Sequence, residues 1–447
     1  MEMSSGRDIG IGLLGLGVVG GGVASVLLEN GESLAEQAGF PLSLKKVLVR
    51  YPDRKRTVEI DASLITTDAE EILADPEIAI VVEVMGGENP AFKYIKNALI
   101  QGKYVVTANK EVMAKHGNEL ASLAEKQGVS IFYEASVGGG IPLITPLTRD
   151  LVANKISELY AIINGTTNYI LTKMSKEGMD FAVALQLAQR LGYAEANPDN
   201  DVEGIDAAYK LAILATIAFQ TVVRPKDVYY EGITRLSGRD FRYARELGYT
   251  IKLLALAKGK DDSIEVRVHP AFIPEDYPLA EVDGVYNAVQ VESDLAGKVL
   301  FYGEGAGPLP TSSAVVADIV AAAQGVGSGG KSHRRLISFH RKAIKSMSEI
   351  ETRYYLRMSV SDCSGVLAQI AKILGDYSIS ISSVIQKEAD PAAHTAEIVI
   401  MTHPAQERDM QLALNEMRNL SVVNEIGNFI RVEAQEEKNS SYEHGSS

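Results

Sequence analysis

Short apolar runs alternate with helical patterns through the first 150 residues of the chain. Strands are predicted at Ile9–Leu14, Leu44–Val49, Ile78–Val84 and Tyr104–Thr107, and helices at Val18–Leu28, Pro90–Gln101 and Glu111–Lys126. Strands that alternate with helices at this spacing indicate a doubly wound parallel sheet. Residues 1–150 are therefore predicted to form an α/β domain whose ligand crevice lies beyond the carboxyl ends of its strands.

From residue 151 the pattern becomes that of an α+β region, predicted as a second domain at residues 151–310. Its predicted strands are Ile156–Ile163, Ile264–Val268, Asn287–Val291 and Lys298–Tyr302, and its predicted helices are Phe181–Leu191 and Asp201–Phe219. A further helix at Thr311–Ala323, within residues 311–330, could return to the first domain.

The carboxyl-terminal third follows a strand-helix-strand-strand-helix-strand order over residues 354–433, which is typical of a ferredoxin-like unit. Its predicted strands are Tyr354–Val360, Ile379–Glu388, Ala396–Thr402 and Asn428–Val432, and its predicted helices are Val366–Tyr377 and Ala405–Asn419. The glycine-rich segment Gln324–Lys331 and a basic linker at residues 331–353 precede this unit. The linker's basic stretch is interpreted as a solvated helix, and residues 434–447 are predicted to be disordered.

Charge and cysteine content narrow the classes of function. The 447 residues include 44 basic and 58 acidic side chains, and the resulting net charge of −14 opposes binding to nucleic acid or to an anionic membrane. The single cysteine, Cys363, and seven histidines without a CxxC or HxxxH pattern predict neither an intramolecular disulfide nor a zinc site. Without a signal sequence or an apolar run of about 18 residues, a cytoplasmic protein with no membrane partner is expected.

A glycine-rich turn joins the first strand to the first helix. Gly15, Gly17 and Gly20 have the GxGxxG spacing of a Rossmann-type dinucleotide site, with Val18 and Val19 at the helix start. The alternative is a tight turn that binds nothing. Arg50 stands at the tip of the second strand, where an arginine favours the 2′-phosphate of NADP(H); Asp53 keeps NAD(H) possible.

Later strand ends should reach the same crevice. Gly86 and Gly87 follow one strand, and Thr107 with Lys110 ends the next, so all four are candidates for contact with cofactor or substrate. Lys110 could instead be a helix-start lysine that faces water, although a cation there opposes the helix dipole. Gly305 precedes the helix that returns to this domain and could contribute a backbone amide to the cofactor site.

Two further segments carry candidate chemistry. In Tyr133–Pro142, Glu134 and the carbonyls of a triple-glycine loop are hard oxygen ligands for a cation, although a hinge is the simpler interpretation from the residues alone. In Glu195–Lys210, Asp206 and Lys210 lie four apart on one predicted helix. A carboxylate that orients a lysine could serve general acid–base chemistry on a small zwitterion, and an ordinary surface ion pair is the alternative.

Six segments together resemble homoserine dehydrogenase over roughly the first 320 residues. They are GLLGLGVVG (12–20), VVTANKE (105–111), YEASVGGGIPLI (133–144), NGTTNYILT (164–172), LGYAEANPDNDVEGIDAAYKLAIL (191–214) and GAGPLPTSSAVVADI (305–319). The resemblance implies reversible NAD(P)H-dependent reduction of aspartate 4-semialdehyde to homoserine, in threonine, isoleucine and methionine biosynthesis.

The resemblance also implies roles for individual residues. Lys210 would be the proton donor and acceptor, Asp206 its orienting acid, and Lys110 a substrate contact implicated in proton transfer. The implied substrate-binding residues are Glu195, Asp201, Gly165, Thr166 and Lys110, with Glu195 on the substrate amine. A monovalent cation, Na⁺ or K⁺, would be held by Glu134, Val137, Gly139 and Ile141. Glu304 departs from the family, which more often has proline at this position.

The segment DCSGVLAQIAKIL (362–374 of the chain) resembles the first turn and helix of an ACT domain, a regulatory module that binds amino acids. The resemblance implies threonine as effector and a homodimer or homotetramer; an ACT unit that only dimerises is the alternative. Two other functions stay open on the residues alone. A noncatalytic NADP-dependent amino-acid sensor would not need Asp206 or Lys210. A thioester-forming dehydrogenase would need a catalytic cysteine, whereas Cys363 lies in the regulatory turn.

Overall fold

The computed structural model describes residues 8–56, 58–328, 342–390 and 394–433. Its amino-terminal part is a six-stranded parallel sheet in the order β3-β2-β1-β4-β5-β6, with helices on both faces. The elements are β1 (Ile9–Leu14), α1 (Val18–Glu29), α2 (Gly31–Ala38), β2 (Leu42–Leu48), β3 (Ile65–Thr66), α3 (Glu70–Leu73), β4 (Ile78–Glu83), α4 (Ala91–Ile100), β5 (Tyr104–Thr107), α5 (Lys110–Lys126) and β6 (Ile131–Phe132). This strand order confirms the predicted doubly wound fold.

The middle part surrounds the catalytic candidates with helices and a mixed sheet. Its elements are β7 (Ile156–Ile162), α6 (Gly165–Glu177), α7 (Phe181–Arg190), α8 (Asp199–Val202), α9 (Ile205–Ala218), β8 (Tyr229–Tyr230), α10 (Gly238–Glu246), β9 (Tyr249–Lys260), β10 (Ser263–Pro274), β11 (Tyr286–Ser293), β12 (Gly297–Glu304) and α11 (Pro308–Gly327). The strand order is β12-β11-β7-β9-β10. The prediction missed α2, α10 and the long strand β9, and it extended one helix across the break between α8 and α9.

Helix α11 returns to the first sheet, as predicted. It packs against α1, α2 and β5, and the missing side chain of Gly22 lets the Ser312 hydroxyl approach α1 closely. Among the described residues this is the one helix with the length and apolar composition of a membrane span. Half of its most apolar window is buried, and Asp318 and Ser312 are buried with it, as in a core helix.

The carboxyl-terminal part confirms the predicted ferredoxin-like order. Its elements are β13 (Ala343–Ile344), β14 (Glu351–Ser361), α12 (Val366–Asp376), β15 (Ile381–Asp390), β16 (Thr395–Thr402), β17 (Ala405–Gln406), α13 (Glu407–Met417) and β18 (Val423–Val432). The strands follow the order β18-β14-β16-β15, and β18 also pairs in parallel with β10 at Ala271 and Phe272. One continuous sheet therefore joins the middle and carboxyl-terminal parts.

Two predictions concern segments that the described residues include only in part or not at all. Residues 329–341 of the glycine-rich and basic linker, and the predicted disordered tail at 434–447, are outside the described residues. The described end of the linker is not helical as interpreted, because Ala343 and Ile344 form β13 and pair with β10.

Candidate active site

The glycine turn after β1 has the geometry of a pyrophosphate site. Gly15 has a φ of +106°, and a side chain at Gly20 would lie 2.1 Å from the Gly15 carbonyl oxygen, so both positions require glycine. Open space surrounds the position of a Cβ at Gly17, and Val18 is 69% exposed. Helix α1 has no side-chain cap at its start, so its free amides can receive a phosphate. The residues present therefore fit a dinucleotide.

Arg50 lies just beyond β2 with an exposed side chain. The loop that follows is folded back by Arg56, whose guanidinium donates to the carbonyls of Tyr51, Pro52 and Arg54. Arg56 is thus occupied within the loop, whereas Arg50 has no ion pair among the described residues.

The ends of β4 and β5 are joined by Glu83, a residue that the sequence did not single out. Its side chain is fully buried and accepts hydrogen bonds from the Thr107 hydroxyl (2.7 Å) and the Met85 amide (2.8 Å). Asn109 donates to the Gly87 carbonyl at 2.7 Å and caps α5. Gly86 and Gly87 have φ values of +74° and +70° and face open space. The Thr107 side chain is buried, so its hydroxyl binds Glu83 inside the crevice wall and does not face the opening of the crevice.

The predicted catalytic residues meet around one carboxylate. Lys110, at the start of α5, and Lys210, on α9, both form ion pairs with Asp206, which is 4% exposed. The Lys210 ammonium lies 2.8 Å from Asp206 Oδ2 and donates to the Ile163 carbonyl, also at 2.8 Å. The i,i+4 pair predicted from the sequence is therefore buried between the start of α5 and the residue that follows β7, and it is not a surface pair.

A buried asparagine connects this carboxylate to the next one. Asn164 donates to Asp201 Oδ1 at 2.7 Å and to Asp206 Oδ2 at 2.9 Å, and its side-chain oxygen caps α6. Gly165 is the first residue of α6, and a side chain there would lie 2.8 Å from the Val285 carbonyl oxygen. The Thr166 hydroxyl donates to the Tyr193 carbonyl and so fixes the loop that leads to Glu195.

The charged residues of the site change one another's pKa values. Burial raises the pKa of Asp206, but Lys210 and Lys110 outweigh it and hold that pKa well below its usual range. Burial lowers the pKa of Lys110, and Asp206, Asp201 and Glu195 overcome this effect and raise it. Burial raises the pKa of Asp201, and the negative charge of Asp206 adds to the increase. Glu195 is exposed on its loop, close enough to act electrostatically on Lys110.

The candidate cation loop, within Tyr133–Pro142, borders the same crevice as Lys110 and Lys210. Both oxygens of the buried Glu134 carboxylate accept backbone amides, from Leu143, Ile144 and Thr145 at 2.6–2.8 Å. Val137, Gly139 and Ile141 are buried, and a side chain at Gly139 would lie 2.6 Å from Gly305 backbone atoms. Among the described residues no group of three or more His, Cys, Asp or Glu side chains could hold a metal ion. Backbone carbonyls and one carboxylate fit a monovalent cation better than a transition metal.

A crevice of about 250 Å³ opens between these segments. Its lining includes Gly86, Gly87, Lys110, Gly139, Lys210 and Gly305. The Glu304 side chain is exposed, while its carbonyl accepts from the Gly140 amide at 3.3 Å. Glu304 therefore contacts the glycine loop at Gly140 through its backbone.

A dinucleotide turn next to two lysines that share a buried carboxylate defines a nicotinamide-dependent oxidoreductase. Family models match three segments: homoserine dehydrogenase, NAD binding domain, at residues 15–134; homoserine dehydrogenase at 142–320; and ACT domain at 354–422. A homoserine dehydrogenase from Synechocystis is 44% identical over 432 residues, covering 94% of this chain and 99% of the relative. The chain belongs to the homoserine dehydrogenase family.

Solved structures agree. A homoserine dehydrogenase from Thiobacillus denitrificans has a TM-score of 0.90 and 43% identity, covering 96% of this chain and 98% of that one. A hyperthermophilic archaeal homoserine dehydrogenase in complex with NADPH has a TM-score of 0.60 and 27% identity, covering 70% and 97%. The matches cover both oxidoreductase segments and the carboxyl-terminal ACT domain, and they favour the enzyme over the noncatalytic sensor.

Proposed function

We propose that Lys210 transfers the proton in the reversible reduction of L-aspartate 4-semialdehyde to L-homoserine. The observation that carries this proposal is the pairing of Lys210 with the buried Asp206 beside the crevice. An ammonium group has three hydrogens. Asp206 and the Ile163 carbonyl receive two, so one remains to donate to a substrate oxygen.

The glycine turn at Gly15, Gly17 and Gly20 would hold the nicotinamide dinucleotide, which would supply the hydride for the aldehyde carbon. As negative charge develops on the aldehyde oxygen, the third Lys210 hydrogen stabilises it and is then transferred. In homoserine oxidation the neutral amine takes the hydroxyl proton back. Asp206 holds both lysines in place throughout, because its low pKa keeps it ionised.

The remaining polar residues fit the charged ends of the substrate. Glu195 and Asp201 supply carboxylates for the substrate amine, while Gly165 begins α6 beside them and Thr166 fixes the segment at Tyr193 that leads to Glu195. Lys110 supplies a cation for a substrate oxygen and, because its raised pKa keeps it charged, acts mainly by contact and electrostatic attraction.

We infer that NADP(H) is preferred over NAD(H), although NAD(H) remains possible. The exposed Arg50 at the tip of β2 supports this, as does the NADPH complex of the archaeal relative. We also infer a monovalent cation, Na⁺ or K⁺, held by Glu134 and the carbonyls of Val137, Gly139 and Ile141. The hard oxygen donors of this loop support that choice.

The ACT domain indicates an amino-acid effector, and we propose that it is threonine. A homodimer or homotetramer is proposed as well, supported by the exposed Leu300 and Tyr302 on the edge strand β12. A cytoplasmic location is consistent with the single cysteine, since a reducing compartment does not support disulfides.

The decisive experiment compares homoserine oxidation by Lys210→Ala and by the wild type, with either NADP⁺ or NAD⁺ as the cofactor. Each reaction is measured with and without threonine. Lys210→Ala should lower kcat by at least about a hundredfold, the typical contribution of a positioned acid or base, with cofactor Kd little changed. Lys173→Ala is a matched control, because Lys173 forms an i,i+4 pair with Glu177 on the surface of α6. Near-normal kcat in Lys210→Ala would refute the assignment. Absence of threonine binding and inhibition would favour an ACT unit that only dimerises.

A further inference from the structure

The last strand of the ACT domain carries a fully buried arginine that reaches the middle part of the chain. Arg431, on β18, is bound by both Glu407 oxygens of α13, at 2.6 and 2.9 Å. Its remaining nitrogen lies 3.0 Å from Glu231 Oε2. Burial raises the pKa of Glu231, but the Arg431 charge outweighs it and keeps the carboxylate ionised. The ACT strand thus holds Glu231 by an ion pair in which the arginine is buried and the carboxylate is 35% exposed.

Glu231 lies in a short segment, residues 229–234, that rests on the turn before the catalytic helix. The Ile233 amide donates to the Val202 carbonyl at 2.8 Å, and the Thr234 hydroxyl donates to Glu203 at 3.2 Å. A side chain at Gly232 would lie 2.4 Å from the Val202 carbonyl oxygen. The two backbones are therefore in direct contact, without intervening side chains.

The turn that receives this contact separates α8 from α9 and lies between the two site carboxylates. Gly204 has a φ of +82° and precedes α9, which carries Asp206 two residues later and Lys210 on its second turn. Asp201 lies just before the turn and shares Asn164 with Asp206. A small shift of residues 202–204 would move the whole acid–base group, and displacement by about 1 Å can cost two orders of magnitude in rate.

We propose that Arg431 and Glu231 are positioning residues for the reaction. Through residues 229–234 they fix the turn at 202–204, so the last ACT strand sets the placement of Asp206 and Lys210. The inference rests on the roles proposed for those two residues. It gives the ACT domain a direct mechanical link to the turn that precedes the catalytic helix.

A matched pair of variants in the full-length protein tests the link. Glu231→Gln neutralises a middle-part carboxylate that pairs with an ACT arginine. Asp240→Asn does the same at a second junction, where Asp240 binds Arg357 at 2.8 Å. Asp240 also accepts hydrogen bonds from Ser237, Tyr355 and Asn428, none of which belongs to the turn at 202–204. Both variants should lower the thermal midpoint. Only Glu231→Gln should lower kcat, by about tenfold, with KM for NADP⁺ within about twofold.

Gly232→Ala keeps the ion pair but forces a methyl group against the Val202 carbonyl, so it should reproduce the loss of kcat. Amide hydrogen exchange at residues 199–206 should increase in Glu231→Gln and stay at the wild-type rate in Asp240→Asn. Equal kcat in the two neutralised variants, or wild-type kcat in Gly232→Ala, would overturn the inference. Full activity in Lys210→Ala would instead remove the proposed catalytic role, so the two failures are distinguishable.

Discussion

Arg50 is exposed at the end of β2, and no ion pair holds it among the described residues. A guanidinium in this position can bind the 2′-phosphate of NADP(H) through two hydrogen bonds, whereas NAD(H) offers only hydroxyls. We therefore expect the Arg50 side chain to raise the affinity for NADP(H) and to leave the affinity for NAD(H) nearly unchanged.

Arg50→Asp should raise KM for NADP⁺ by about tenfold or more, because charge-assisted hydrogen bonds of about 1.5–3 kcal/mol are lost. KM for NAD⁺ should fall or stay constant, since an aspartate can accept from the ribose hydroxyls. Steady-state kinetics with both cofactors measures the change. Arg54→Asp alters the same loop by the same charge and should have a much smaller effect. An unchanged ratio of the two KM values in Arg50→Asp would contradict the NADP(H) assignment.

Single residues differ in how far the sequence predicts them. Asp206 and Lys210 are close in the chain, so helical spacing alone places them together. Glu83 binds Thr107, 24 residues later on another strand, and only the parallel pairing of β4 with β5 brings the two together. A charged residue within an apolar strand was the one available signal for Glu83. Its partners could not be predicted without the register of the sheet.

At the level of elements, Glu83 connects the ends of two strands that form one wall of the crevice. Glu83→Ala would leave the Met85 amide and the Thr107 hydroxyl without their acceptor, so the turns at residues 84–87 and 107–110 should loosen. We expect kcat to fall by about a hundredfold, because Lys110 begins the helix after the second turn. Steady-state kinetics of homoserine oxidation measures it.

Glu83→Gln should recover most of this activity, since its amide oxygen can still accept from Met85 while its nitrogen donates to Thr107. Glu77→Ala, at an exposed residue just before the opposite end of β4, should behave as the wild type. If Glu83→Gln is as impaired as Glu83→Ala, shape is not sufficient and the negative charge itself is required.

Two elements show why pattern alone misplaced parts of the middle region. Strand β9 is buried on both faces over residues 251–257, so it lacks the alternation by which a half-buried strand is identified. The predicted helix Asp201–Phe219 is interrupted at Gly204, which adopts a left-handed conformation against the Glu231 carbonyl oxygen. That contact belongs to the tertiary structure, and a glycine inside an apolar helical pattern does not reveal it.

On the scale of the whole molecule, the pairing of β10 with β18 buries several charged groups at the junction. Arg267 binds Glu433 at 2.6 Å, and both are almost completely buried. His269 lies beside them with no exposed surface, where its Nε2 accepts from Arg267 Nε at 3.1 Å and its Nδ1 must therefore donate to the Pro270 carbonyl. The His269 imidazole is thus neutral in the folded protein.

Burial, followed by the charges of Arg431 and Arg267, lowers the pKa of His269 to about 3. Between about pH 6.5 and pH 3 the unfolded chain binds a proton at this residue and the folded chain does not, so stability must decrease as the pH falls. At about 1.4 kcal/mol per pH unit, the free energy of unfolding should decrease by about 2 kcal/mol between pH 7.5 and pH 5 from this group alone.

Denaturant titration of the full-length protein at the two pH values measures the difference. His269→Gln cannot titrate and should show a smaller decrease. If His269→Gln keeps the full decrease, the acid sensitivity of the junction arises from other groups, and His269 already binds its proton in the folded protein.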